Sequence, residues 1–150
     1  MKNLVRISLI IISLCGYTSF PASVSSKPRT ITLEGTVYNE ETSGKFISWE
    51  CRDYFTQEKN SFTQEKILVE VGTFTAPKLT NYGFVLYDGG NSGNITNYQR
   101  KGINLRWDWG PNGNDFSFII KPDGTGLFYD FSNAKFETIK AEQIFKCRQR

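Results

Sequence analysis

LRWDWGPNGNDFSFIIKPDGTGLFYDF, residues Leu105 to Phe131, reads as three strands joined by two tight turns. In Lys121-Pro122-Asp123-Gly124 the proline presets φ for the first turn position, and glycine follows where the chain must go left-handed. A short loop ending in glycine is a common hairpin connection with a bulge. It predicts Lys121 opposite Thr125, Phe118 opposite Phe128 and Ser117 opposite Tyr129. Phe116, Phe118, Ile120 and Phe128 then share one face, and Ser117, Ile119, Leu127 and Tyr129 share the other. The first face is the better core, and Gly126 leaves room on it for a neighbouring side chain.

The other turn, Gly110-Pro111-Asn112-Gly113-Asn114, is a cluster of breakers whose loop length stays open. Its parity decides where the tryptophans go, because a one-residue slip moves every side chain to the opposite face. An even loop pairs Trp107 with Phe116 and Leu105 with Phe118, which puts Trp107 and Trp109 in the core. An odd loop sets them with Ser117 and Tyr129. Apolar matching favours the even loop. That register also sets Asp108 against Asp115, a repulsive pair.

Outward from this meander, Thr30–Tyr38 alternates and is rich in β-branched residues, which predicts one strand with Ile31, Leu33, Gly35 and Val37 on its apolar face. Asn39–Gly44 reads as a polar turn, and Lys45–Tyr54 as a strand carrying Ile47, Trp49 and Cys51 on one side. The repeated segments Phe55–Lys59 and Phe62–Lys66 read as a polar connection. Lys66–Gly72 and Gly83–Asp88 are strands. Thr73–Tyr82, with Pro77, is a loop between them. Gly89–Asn94 looks the most flexible part, followed by a short strand, Ile95–Gln99, and a turn at Arg100-Lys101-Gly102. Ser132–Glu142 reads mostly as loop and Gln143–Arg148 as the last strand. About eight strands with hairpin-like links predict an all-β chain. The expected architecture is a single small antiparallel β-barrel or sandwich with one disulfide, and the barrel-like meander is preferred.

Residues 1–26 have the layout of a secretory signal peptide: Lys2 and Arg6, an apolar run Ile7–Cys15 too short to span a bilayer, then Ala22, Ser23, Ser25 and Ser26. Residues 27–150 are then one β-rich domain, secreted or periplasmic, with no stable membrane span after cleavage. Lys2 and Arg6 leave with the peptide, so sixteen basic residues face fifteen acidic ones. That balance offers no electrostatic footing for nucleic acid. Cys15 leaves too, and the remaining pair, Cys51 and Cys147, is expected to form a disulfide. There is no histidine to complete a metal site with them or to support histidine-based catalysis. No cofactor is expected.

Aromatic residues make up 15% of the chain, more than the central hairpin needs for a core. Arg106, Trp107, Asp108, Trp109, Tyr129 and Tyr87, with Tyr82 and Tyr98 nearby in sequence, form a candidate binding set. Rings stack on a sugar or line an apolar pocket while Arg106 and Asp108 orient a polar group. The same rings also suffice to fill a small β core. Asp108, Asn112, Asn114 and Asp115 supply oxygen ligands of the kind calcium takes, although not at EF-hand spacing. Asp108 with Asp115, and Asp88 with Asp130, are the carboxylate pairs a hydrolase would use. The expected role is a non-enzymatic binding protein that takes a small apolar ligand inside a barrel or a glycan on an aromatic face. The alternative is a protein-interaction module, such as an inhibitor of a secreted enzyme, that uses the Gly89–Asn94 and Gly110–Asn114 loops. A carboxylate-dependent hydrolase is third. A large internal cavity, a filled core with projecting loops, or two acids facing across a cleft would separate the three.

Overall fold

The structure is a computed structural model that describes residues 27–54, 68–76, 79, 81–132 and 140–150. The signal-like segment, the Phe55–Lys66 repeat and most of the Ser132–Glu142 connection lie outside the described residues. Ten strands are described: β1 (Thr30–Leu33), β2 (Thr36–Asn39), β3 (Phe46–Asp53), β4 (Leu68–Phe74), β5 (Tyr82–Tyr87), β6 (Ser92–Lys101), β7 (Asn104–Trp109), β8 (Phe116–Ile120), β9 (Thr125–Asp130) and β10 (Gln143–Gln149). A single helical turn, α1 (Glu40–Ser43), lies between β2 and β3. The order β6-β5-β4-β3-β10-β9-β8-β7, with β7 returning to β6, closes an antiparallel barrel of eight strands. Closure removes the exposed edges that a sandwich would keep. Among the described residues no helix is long and apolar enough to cross a membrane.

Alternation along each strand fills the barrel. Trp107, Phe118, Phe145, Val71, Val85 and Cys51 are buried inside it, with Trp49, Tyr98, Leu105 and Phe128 packed around them. Trp107 lies edge-on to Trp49 with ring centroids 5.5 Å apart, and its indole N–H donates to the Gly72 carbonyl at 2.8 Å. A Cβ on Gly83 would come within 2.6 Å of the Trp107 ring, so the missing side chain is what admits the indole. The Cys51–Cys147 disulfide joins residues that face each other on β3 and β10, inside the barrel.

β4 and β5 are buried on both faces. Phe74, Phe84 and Leu86 point outward and, with Phe46, pack under Ile31 and Leu33 of β1. Thr30–Tyr38 is therefore not one strand. Glu34 and Gly35 take φ of 50° and 81°, the consecutive positive values of a two-residue hairpin turn. The chain doubles back as β1 and β2 over the outside of the barrel, and Val37 ends 65% exposed instead of on an apolar face. β1 also makes a short parallel pairing with β6, Thr32 with Ser92 and Leu33 with Gly93, an exception to the antiparallel expectation. Asn39–Gly44 is a helical turn, capped where the Asn39 side chain accepts the Glu41 N–H at 2.8 Å.

The Lys121–Gly124 hairpin pairs as expected: Phe118 with Phe128 and Ser117 with Tyr129. The preceding loop has the expected even parity, but its pairing is displaced by two residues. Trp107 faces Phe118, Leu105 faces Ile120 and Trp109 faces Phe116. Asp115 is used inside the loop, where its carboxylate accepts the Asn112 backbone and side-chain N–H groups at 2.7 Å each. Asp108 consequently faces Ser117, and the expected repulsion with Asp115 does not arise. β4 continues through Phe74 into the predicted loop because Thr73 and Phe74 pair with Ile47 and Phe46. β6 starts at Ser92, within the stretch read as most flexible, because β1 and β5 hold it from both sides. Its turn falls at Gly102-Ile103, with Lys101 opposite Asn104, rather than at Arg100–Gly102.

Both ends of the described chain meet at Glu70 on the outside of β4. Arg29 donates to it from two nitrogens, at 2.5 and 2.8 Å, and Arg150 from one at 3.0 Å. Burial pushes the Glu70 pKa up, but hydrogen bonds from Arg29 and Ser48 and the charges of Arg29 and Arg150 outweigh it, so the net shift is downward. A depressed folded pKa means the stability is fully present above the ordinary glutamate range. It is lost as pH falls through the folded value. Glu70→Gln is expected to cost about 1–2 kcal/mol at neutral pH, since the two arginines keep access to water. Urea unfolding at pH 7 and at about pH 3 checks this: the gap from the parent should shrink in acid. An equal gap at both would discard the ionic account.

Candidate functional site

Strand register builds a polar row on the outside of the barrel. Tyr82 on β5 faces Asn97 on β6, Asn97 faces Asp108 on β7, Asp108 faces Ser117 on β8, and Ser117 faces Tyr129 on β9. The row runs halfway round the closed barrel, so Tyr82 and Tyr129 lie on opposite sides of it, and only its Tyr82–Asn97–Asp108 part borders one surface. A second row beside it begins with Gln99 and Arg106. Asp108 is the hub between the rows. It accepts from Arg106 Nε at 2.8 and 2.9 Å, from Gln99 Nε2 at 3.1 Å and from the Ser117 hydroxyl. Arg106 Nη2 also donates to the Ser117 hydroxyl at 3.1 Å. Both acid and guanidinium are thereby held in place before any ligand arrives.

A groove follows this surface beneath the Gly110–Asn114 loop. One part, of about 570 Å³, is lined by Asn81, Asn97, Gln99, Arg106, Asp108 and Asn114, among others. The adjoining part, of about 480 Å³, shares Asn97, Asp108 and Gly113 and is walled by Glu34, Asn94, Thr96 and Trp109. The second part exists because β6 changes partners. β1 covers it only at Ser92 and Gly93, and β7 joins only from Asn97. In between, the Ile95 N–H is taken by the Glu34 carboxylate at 3.3 Å. The Asn81, Asn97 and Asn114 side chains make no hydrogen bond among the described residues. The buried Thr96 hydroxyl has none either.

The candidates from the sequence divide. Arg106 and Asp108 lie in the groove, and Trp109, nearly buried, forms part of its wall. Trp107 is fully buried inside the barrel and offers no ligand surface. Tyr87 sits at the rim, where its hydroxyl donates to Asn94 Oδ1 at 3.2 Å and burial raises its pKa. Tyr129 ends the polar row, with its ring stacked on Phe131 at 5.7 Å. Asp108 and Asp115 of the suggested calcium set each have their own partners, and no cluster of three or more His, Cys, Asp or Glu exists among the described residues. Of the acid pairs, Asp108 faces Ser117, and Asp130 accepts the Ser132 N–H at 2.8 Å within its own turn. Asn81, Asn97 and Gln99 are groove residues that the sequence reading missed. Only the pairing of β5 with β6 and of β6 with β7 singles them out. The chain matches no known family, no curated protein and no solved structure.

Proposed function

We propose that the chain is an exported, non-enzymatic binding protein that holds a glycan in the groove on the outside of its barrel. The observation that carries this reading is the groove lining itself, where the Asn81, Asn97, Gln99 and Asn114 amides stand beside Arg106 and Asp108, with Tyr82 facing Asn97 from the next strand. Neighbouring sugar hydroxyls each need a donor and an acceptor, which amide groups supply together. Aromatic faces take the apolar side of a sugar ring. Asn81, Asn97 and Asn114 bring spare donors and acceptors, and Tyr82 is 47% exposed. The barrel axis is filled by Trp107, Phe118 and Phe145, which leaves little room for an apolar ligand along it.

That filled axis also favours a second reading, a protein-interaction module. The β5–β6 and β7–β8 loops lie at the same end of the barrel and present a surface to a partner. An oligosaccharide array separates the two. Binding to one glycan class, weakened roughly tenfold by Tyr82→Ala or by Asn97→Ala, supports the groove. These side chains lie outside the core, so stability should change by no more than about 0.5 kcal/mol. An array without hits, together with capture of a defined protein partner, would replace the glycan with that partner.

A further inference from the structure

We propose a second site: the barrel mouth between the β6–β7 and β8–β9 turns takes a small amphiphilic anion, an alkyl chain that ends in a carboxylate. The mouth holds about 460 Å³, within the roughly 300–1,000 Å³ of small-molecule pockets. Its walls are Trp49, Leu105 and Ile120, and Cys147 of the disulfide adds to the lining. Ile103, at the tip of the β6–β7 turn, belongs to the same lining and is 73% exposed. An apolar side chain at a turn tip gains nothing from water, but it extends the wall along which an alkyl chain would lie.

The charge comes from strand alternation. Tyr98 faces Trp107 inside the barrel, so Arg100, two residues on and opposite Leu105, lies on the same inward row. A cation is thus brought to the rim of an opening whose lining mixes the apolar Trp49, Leu105 and Ile120 with polar side chains. Lys121 joins it from the β8–β9 turn. Neither makes an ion pair among the described residues. The acid in the lining, Asp123, accepts the Thr125 N–H at 2.9 Å and also feels the Lys121 charge, so Arg100 is the rim cation with no acid of the lining assigned to it. An arginine stem can follow the apolar wall while its planar head meets a carboxylate with two parallel hydrogen bonds. A neutral ligand would leave the Arg100 head unused, and a cationic one would be repelled.

Titrating sodium decanoate into the folded, disulfide-bonded, ¹⁵N-labelled protein tests this. The Trp49 indole N–H and the Ile103 and Leu105 amides should shift saturably by about 1 mM, while the Trp109 indole stays still. Decyltrimethylammonium, with the same chain and the opposite charge, should bind at least about tenfold more weakly. Arg100→Gln with Lys121→Gln should weaken decanoate at least about fivefold, and both positions are exposed, so the fold is retained. Ile103→Asp, which puts a negative charge on the rim, should weaken it by a similar factor. No saturable shift at Trp49, equal binding of the cationic detergent, or unchanged affinity in the glutamine variant would each overturn the site. None of these outcomes bears on the glycan groove, which lies on the barrel's outer face.

Discussion

Replacing Cys51 and Cys147 with alanine is expected to lower folding stability by roughly 4–5 kcal/mol, because the disulfide closes a loop with a sequence separation of 96. The bond joins β3 to β10, and that pairing draws its two strands from opposite ends of the described chain. No hairpin turn holds these strands together, so the unfolded chain without the bond has the most freedom to regain at this seam. A small domain has only about 5–15 kcal/mol in all, so the variant should sit near the edge of folding at moderate temperature. Urea unfolding of the oxidised protein, the reduced protein and the double variant measures the loss. Reduction should reproduce most of it, since the bond breaks without changing residue volume. A loss below about 1 kcal/mol would mean that β-pairing alone secures the seam and that the unfolded chain was already compact.

The parts of this fold that were legible in the sequence are those fixed by local chemistry. Pro122-Asp123-Gly124 permits few turns, so the pairing of Phe118 with Phe128 follows from neighbours in the chain. The turn of six residues from Gly110 to Asp115 was harder. Apolar matching constrains parity, but a shift of two residues keeps every face the same, and the observed register is favoured by contacts such as the hydrogen bonds that Asp115 accepts from Asn112. Thr30–Tyr38 is ambiguous in sequence for a related reason. Ile31, Leu33 and Val37 alternate in sequence whether the chain runs straight or turns back at Glu34-Gly35, and periodicity does not register a reversal. In the groove, Arg106 and Asp108 drew notice because they alternate with tryptophans. Asn97 and Gln99 did not, because their place beside Asp108 and Arg106 comes from lateral register between strands.

Trp107→Ala should cost about 3–5 kcal/mol, the loss seen when a large aromatic is cut out of a packed core. Three features place the effect near the top of that range. The ring is fully buried, it contacts both Trp49 and Tyr98 at centroid distances of 5.5 and 5.3 Å, and it crosses to β4 to bond the Gly72 carbonyl at 2.8 Å. The space left behind cannot close easily, because Gly83 beneath the ring has no side chain to move into it. Trp107→Phe separates the contributions. It keeps much of the bulk, removes the N–H donor and leaves the Gly72 carbonyl without its partner, for an expected loss of about 1–3 kcal/mol. Thermal or urea unfolding of both variants gives the two numbers. If the phenylalanine variant matched the parent, water or a neighbouring donor would have to reach the Gly72 carbonyl inside the barrel. If the alanine variant lost less than about 1 kcal/mol, the indole would not be the packing centre of the barrel, and the filled axis that favours the proposed outer groove for a glycan would go with it.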